Sequence, residues 1–328
     1  MSDGDLLSEL FTPAPAIPKA GQIISEPGIY AMSNDDYHAD PCIEPSLSRG
    51  TISDLINLTP AHAFFNHPSL GTSAEEEAEE EAETKFDLGS AWHSLLFEGV
   101  QAAEVIDPKD YPGPKGGIPK GWTTDLIRAV RDKARANGKI PFLPKQYQKT
   151  IEMVEAAKKF LAESEFKIKD IQAEGKSEQT IIWKEGDTWF RVRPDWISNK
   201  NYGDRRLMLD GKSVAQSADP DRFKPSEHGK DIQHSLYRRG YAAVTGEKRP
   251  KFVFLVQETA KPYLCSLVSL DPQTISMAEE KIKYGIFMWE KCRATGEWPG
   301  YPNQVCEVES KPWEIASWEY KKDLIGVE

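Results

Sequence analysis

The apolar positions change period along this chain. Leu47, Ile52, Leu55, Ile56 and Leu58 fall at helical spacing and predict a short amphipathic helix, opened near Ser46 or Ser48 and closed before Pro60. Leu88, Ala91, Trp92, Leu95 and Leu96 form the apolar face of a second helix over 86–99, and two more helices are expected over 123–137 and 144–163. From residue 179 the period shortens to that of strands, over 179–184, 188–197 and 206–214, with a Glu185-Gly186-Asp187 turn after the first. A helix capped by Asp231 is expected to reach about Val244, followed by strands over 251–259 and 263–270, and Pro272 opens a last helix to about Thr295. This order predicts an α/β (α+β) fold with a central mixed sheet flanked by helices. There is no internal repeat.

Three stretches break the pattern. Residues 1–28 are rich in Pro and small side chains and read as a loose arm. Residues 71–83 are a low-complexity acidic segment, expected to be a solvated insertion, and residues 107–122 are a Pro- and Gly-rich irregular loop.

Composition narrows the class. At 328 residues, with 39% hydrophobic and 28% charged positions, the chain has length enough for a substantial core. No run approaches the roughly twenty apolar residues of a membrane span, and the first residues lack a basic end followed by an apolar stretch, so a cytoplasmic protein is expected. Cys42, Cys265, Cys292 and Cys306 show no paired spacing, which argues for buried free thiols and against a zinc knuckle or an iron-sulfur cluster. The net charge of −11 is concentrated: seven glutamates lie within 75–83, and without them −4 remains. Between Arg191 and Arg249 there are 13 Lys and Arg against 8 Asp and Glu, so the total does not exclude phosphate binding there.

The candidate chemistry lies in that basic half. Asp210 and Lys212 are two apart on an expected strand and so share a face, and Asp195, after Arg193-Pro194, can lie beside them on a neighbouring strand. Two carboxylates and an ammonium would then meet at one point, a grouping suited to Mg²⁺ and to a phosphate or its attacking water. An acidic-x-Lys triplet alone is weak, since about three or four arise by chance in such a chain, and Asp210-Gly211 reads equally as a hairpin turn. Gln233 and Tyr237, one helical turn apart, could hold a phosphate or a nucleotide, or be a polar surface pair. Gly89 and His93 share that spacing, and His93 could supply a metal ligand. Glu178 is a sheet-edge candidate with a plain reading as a solvent-facing residue. Arg191 and Arg193 could grip phosphate or pair with the acidic residues.

Taken in order, Tyr37-His38, Ser46-Leu47-Ser48, Pro60-Ala61-His62, Gly89-x-x-x-His93, Glu178, Arg193-Pro194-Asp195, Asp210-Gly211-Lys212 and Gln233-x-x-x-Tyr237 resemble the PD-(D/E)xK nuclease superfamily, and within it the exonuclease VIII (RecE-like) group often encoded by prophages. The resemblance covers about residues 29–300, leaving 301–328 as a carboxy-terminal extension. It implies a restriction-endonuclease-like core. It also implies that His93, Asp195 and Asp210, with the carbonyl of Gly211, bind Mg²⁺ or Mn²⁺, while Lys212 orients or deprotonates the attacking water. Glu178, Gln233 and Tyr237 would assist, and Arg191, Arg193, Gln233, Tyr237 and Arg238 would contact DNA. The implied activity is 5′ to 3′ digestion of linear duplex DNA, leaving 3′ single strands for a single-strand annealing protein, by a ring-shaped homo-oligomer. A nuclease of other specificity would keep the same residues, and a DNA-end-binding scaffold without turnover is the third reading.

Overall fold

A computed structural model describes residues 15–71, 88–113 and 116–325; the acidic stretch at 72–83 and the first part of the expected arm lie outside them. In chain order the elements are β1 (Gly28–Ala31), α1 (Asn34–His38), β2 (Ser46–Leu47), α2 (Arg49–Asn57), α3 (Pro60–Phe65), α4 (Leu88–Phe97), β3 (Ala103–Val105), α5 (Asp125–Ala136), β4 (Ile140–Phe142) and α6 (Pro144–Glu163). There follow β5 (Gly175–Ser177), β6 (Gln179–Glu185), β7 (Thr188–Val192), β8 (Trp196–Tyr202), β9 (Arg205–Val214), α7 (Lys230–Thr245), β10 (Lys251–Glu258), β11 (Cys265–Val268), α8 (Pro272–Thr295) and α9 (Pro312–Ile325).

The strands form a five-stranded sheet in the order β11-β10-β9-β8-β5, a four-stranded sheet β1-β6-β7-β2, and a two-stranded pair β3-β4. Pleating decides which core each residue joins. Met208, Phe252, Phe254 and Val256 turn to one face of the five-stranded sheet, where Leu236, Ile282, Trp289 and the inner side chains of the other sheet enclose them. Leu207, Leu209, Val253 and Leu255 turn to the opposite face, against Trp92, Leu95 and Leu96 of α4 and Met153, Val154 and Leu161 of α6. β9 and β10 run parallel, with α7 as their crossover. This is the mixed sheet flanked by helices that the periodicity predicts.

Local chemistry sets the helix ends. The Ser48 hydroxyl accepts from Thr51 N at 3.2 Å and opens α2, and Asp271 accepts from the amides of Gln273 and Thr274 at 2.8 and 3.2 Å to open α8. Asp231 is not the cap expected of it. α7 starts from Gly229 in the left-handed conformation, and Asp231 lies buried in the first turn against the Lys281 ammonium at 2.5 Å. The arm is also tied down in part: within the described residues Ala16 bridges Tyr30, Ile24 bridges Cys42, and Ile24 is buried. Of the cysteines, Cys42 and Cys292 are buried as expected, but Cys265 is half-buried and Cys306 exposed.

The strand expected over 188–197 is two strands in different sheets. Ile181 faces Val192 in one sheet and Gly175 faces Ser198 in the other, which is a single continuous register. One long hairpin therefore passes from sheet to sheet through a bend, at Glu178 on one arm and Arg193-Pro194-Asp195 on the other. Pro194 has no N–H to give to a ladder, and Glu178 adopts a left-handed φ of 53°, uncommon for a residue with a side chain.

Candidate active site

The bend is where the acidic residues meet. The hairpin register sets Glu178 opposite Asp195, and the Glu178 amide donates to the Asp195 carbonyl at 3.1 Å. On the other side Trp196 pairs with Leu209, so the next step of the antiparallel ladder brings Asp195 opposite Asp210. Three carboxylates thus form one row across three strands. A straight strand would have carried Asp195 past the junction, whereas the break turns it inward.

α4 supplies the fourth group. His93 Nε2 lies 2.8 Å from Asp195 Oδ2 and 3.7 Å from Glu178 Oε1, and one ligating atom from each of the three residues lies within 4.8 Å of the others. Gly211 explains how the helix comes so close. Its amide donates to Asp195 Oδ2 at 2.6 Å, and a Cβ there would stand 2.9 Å from Phe97 and 3.1 Å from Trp92, both on α4. Any side chain between Asp210 and Lys212 would displace the helix that presents His93. Gly89 lines the neighbouring cavity on that helix.

Asp210 is fully buried, held at Oδ2 by Gln233 Nε2 at 2.5 Å and at Oδ1 by the Lys212 ammonium, with no directed hydrogen bond to Oδ1. Burial, then the nearby Asp195, pushes its pKa up to about 7, against the pull of Lys212. Asp195 goes the other way: burial would raise it, but His93, Lys212 and the Gly211 amide outweigh burial and hold it low. Burial would lower His93, yet the surrounding carboxylates, Asp195 first, raise it to about 9, so at neutral pH the imidazole is a cation. Burial and Asp195 raise Glu178. Lys212, despite burial, is raised by Asp210 and Asp195 and stays charged.

The structure divides the expected site residues. His93, Glu178 and Asp195 form the compact cluster, with Asp210 and Lys212 adjoining. The Gly211 amide is committed to Asp195, and Glu178, a sheet-edge candidate for which a solvent-facing reading stood open, is at the centre of the bend. Gln233 positions Asp210, and Tyr237, packed edge-on to Phe252, lines a cavity of about 420 Å³ together with Tyr37, His38, Arg49, Asp195, Asp210 and Lys212. A second cavity of about 1360 Å³ meets the first at a wall formed by His93, Glu178, Arg193 and Lys212, and continues past Ser33, Gln101, Gln172 and Gln179.

Of the two readings open for Arg191 and Arg193, the structure shows the pairing with acidic residues. Arg191 is buried, bonded to Asp40 Oδ1 at 3.0 Å and to Ser46 Oγ at 2.6 Å, and thus fastens the segment before α2. Arg193 Nε holds Glu178 Oε2 at 2.5 Å while its NH1 reaches the carbonyls of Met32 and Ser33 at 3.1 and 3.0 Å. Both guanidinium groups also lie 5.7 Å from the Tyr37 ring centre. Arg238 donates to the Pro250 carbonyl at 3.0 Å and lines neither cavity. Arg49 is the cationic residue that sequence reasoning missed; a single arginine opening a short helix gives no signal until the fold brings it to the cavity.

The donor set fits a hard divalent cation: carboxylate oxygens and one imidazole converge within a few ångströms, and Asp210 leaves a buried oxygen without a directed hydrogen bond. His93 would have to give up its proton to join as a ligand.

No curated protein matches the chain. Among solved structures, the chain is similar to a candidate exonuclease from Eubacterium rectale, at 11% identity and a TM-score of 0.46, over 88% of this chain and 98% of that one. Residues 69–312, about three quarters of the sequence, match the family described as a PDDEXK-like domain of unknown function, DUF3799. The chain therefore belongs to this DUF3799 family of PDDEXK-like domains and carries the restriction-endonuclease-like core of the PD-(D/E)xK superfamily.

Proposed function

We propose that the protein is a divalent-metal-dependent exodeoxyribonuclease that digests linear duplex DNA from its ends, 5′ to 3′, leaving 3′ single strands for annealing. The observation that carries the reading is the convergence of His93, Glu178 and Asp195 beside the buried Asp210–Lys212 pair. His93, Glu178, Asp195 and Asp210 would hold Mg²⁺ or Mn²⁺, which when bound lowers the pKa of a water and neutralises charge on the phosphoryl oxygens.

The protein's own groups do the rest. Lys212 keeps its proton at neutral pH, so its ammonium acts as a donor that orients the attacking water and the phosphate, rather than as a base. Gln233 fixes Asp210 so that both of its oxygens keep their direction. Arg193 fixes Glu178 from the opposite side. Hydrolysis joins the water oxygen to phosphorus and breaks the bond to the 3′ oxygen; the water's proton passes to solvent or to a carboxylate, and the leaving oxygen is protonated in turn.

Incubating the protein with Mg²⁺ and 5′-labelled linear duplex, beside a covalently closed circle, tests the proposal. Release of labelled mononucleotides from the linear DNA, with the circle intact and digestion stopped by a chelator, is expected. Cutting of the circle would remove the exonuclease reading, and a 5′ label that stays on progressively shortened fragments and is released last would reverse the polarity.

A further inference from the structure

The larger of the two cavities carries groups that the proposed chemistry does not use. His93, Glu178, Arg193 and Lys212 form the wall it shares with the smaller cavity. Beyond that wall, among the described residues, its charged lining residues are the carboxylates Asp36 and Glu98, and no lysine or arginine joins them. Lys139 is near, but its ammonium donates to the Gln101 carbonyl at 2.5 Å and it does not line the cavity. A run of phosphates needs cations to neutralise it, so this space does not suit further DNA backbone past a phosphate held at the wall.

Its neutral lining suits hydrogen bonding instead. Gln179 and Trp92 both line it, and each keeps a buried polar atom without a partner, the amide Oε1 of one and the indole Nε1 of the other. A buried acceptor and donor left unmet are costly, and a ligand that meets them removes that cost. Gln101 and Gln172 add two exposed amides, and Gly99, at a φ of 102°, makes room for them. A Cβ on Gly99 would overlap Gln101 Oε1 and stand 2.7 Å from Gln172 Nε2, so the two amides converge on one point. Gln101 Nε2 donates to the Glu98 carbonyl, which leaves its Oε1 as an acceptor.

Ile17, Pro18 and Met32 of the arm add apolar surface to the same cavity. Apolar faces with amides at the edges are what a nucleobase requires. Because an amide carries both donor and acceptor, three glutamines can meet the edge of any of the four bases.

We infer that the larger cavity is a nucleoside subsite, in which the sugar and base on one side of the phosphate at the wall lie against Gln101, Gln172 and Gln179; the inference rests on the nuclease reading for that phosphate. Calorimetry in the presence of Mn²⁺, with a deoxynucleoside 5′-monophosphate and deoxyribose 5-phosphate as the two probes, measures what the base adds. The nucleotide should bind the wild type about 10-fold more tightly than the sugar phosphate. Gln101→Ala combined with Gln172→Ala should bring the nucleotide down to the affinity of the sugar phosphate and leave the sugar phosphate as it was. Equal binding of the two probes by the wild type, a result that needs no variant to fold, would overturn the inference, as would a preference for the nucleotide that survives in the double variant. Digestion of DNA is read separately: a protein that prefers the nucleotide and cuts nothing would keep the subsite and lose the nuclease reading, and one that cuts while the base adds nothing would do the reverse.

Discussion

Lys212 and Asp210 illustrate how burial assigns roles to residues only two positions apart. In water their attraction would be weak, but Asp210 is fully buried and Lys212 is its nearest cation, so the pair holds the ammonium at a fixed point beside the bend. Lys212→Met keeps the stem and removes the charge. Single-turnover cleavage should fall on the order of 10²- to 10⁴-fold, with DNA binding within a few-fold of wild type; an unchanged rate would show that the ammonium takes no part in the chemistry. Asp195, Asp210 and Lys212 were legible in the sequence because strand alternation and a neighbouring Pro-Asp suffice to bring them together. Glu178 was not. Its place depends on a left-handed bend that no local pattern announces, and on a register shared between two sheets. For Arg191 both phosphate contact and an ion pair stood open, because alternation tells which face a side chain takes and not that Asp40 lies there.

Among the elements, those with long, clear periods were read from sequence almost to their ends. Residues 144–163 and 272–295 were expected as helices and are α6 and α8. The pieces that hold the site were too short to show a period: β1, β2 and β5 have two to four residues each and owe their place to partners far away in the chain. β5 is instructive, since Gly175 leaves room for the Trp196 indole, whose Nε1 donates to the Ile171 carbonyl at 2.6 Å. Just before it Glu174 anchors the turn, accepting from the amides of Lys169 and Asp170 at 2.8 and 3.1 Å and pairing with Lys200 of β8 at 2.5 Å. The Lys200 hydrogen bond, with those amides, lowers the Glu174 carboxyl from 4.5 to about 2. A depressed carboxyl stabilises the fold above its unfolded pKa, and that contribution is lost as pH falls from 4.5 through about 2. Glu174→Gln should therefore lower Tm by about 2 °C at pH 7, a modest loss because the pair is partly exposed, and the gap should narrow at pH 3. A gap that widens toward acid would contradict this.

Over the whole molecule, the site is a product of two sheets and a helix, none of which contains it alone. The bent hairpin sets Glu178 and Asp195 at the junction, β9 contributes Asp210 and Lys212, and α4 lays His93 across them through the space that Gly211 leaves. The negative total charge is compatible with this because the carboxylates at the centre are matched by His93, Arg193 and Lys212, while Arg49 opens onto the same cavity. Among the described residues no helix is long and apolar enough to cross a membrane. Everything proposed about catalysis rests on a cation being held at the bend. Calorimetric titration of the protein with Mn²⁺, with Glu178→Gln and Asp195→Asn in parallel, tests that most directly: the wild type should bind, and each variant should bind at least 10- to 100-fold more weakly. Equal binding by all three proteins would place the metal elsewhere and contradict the account.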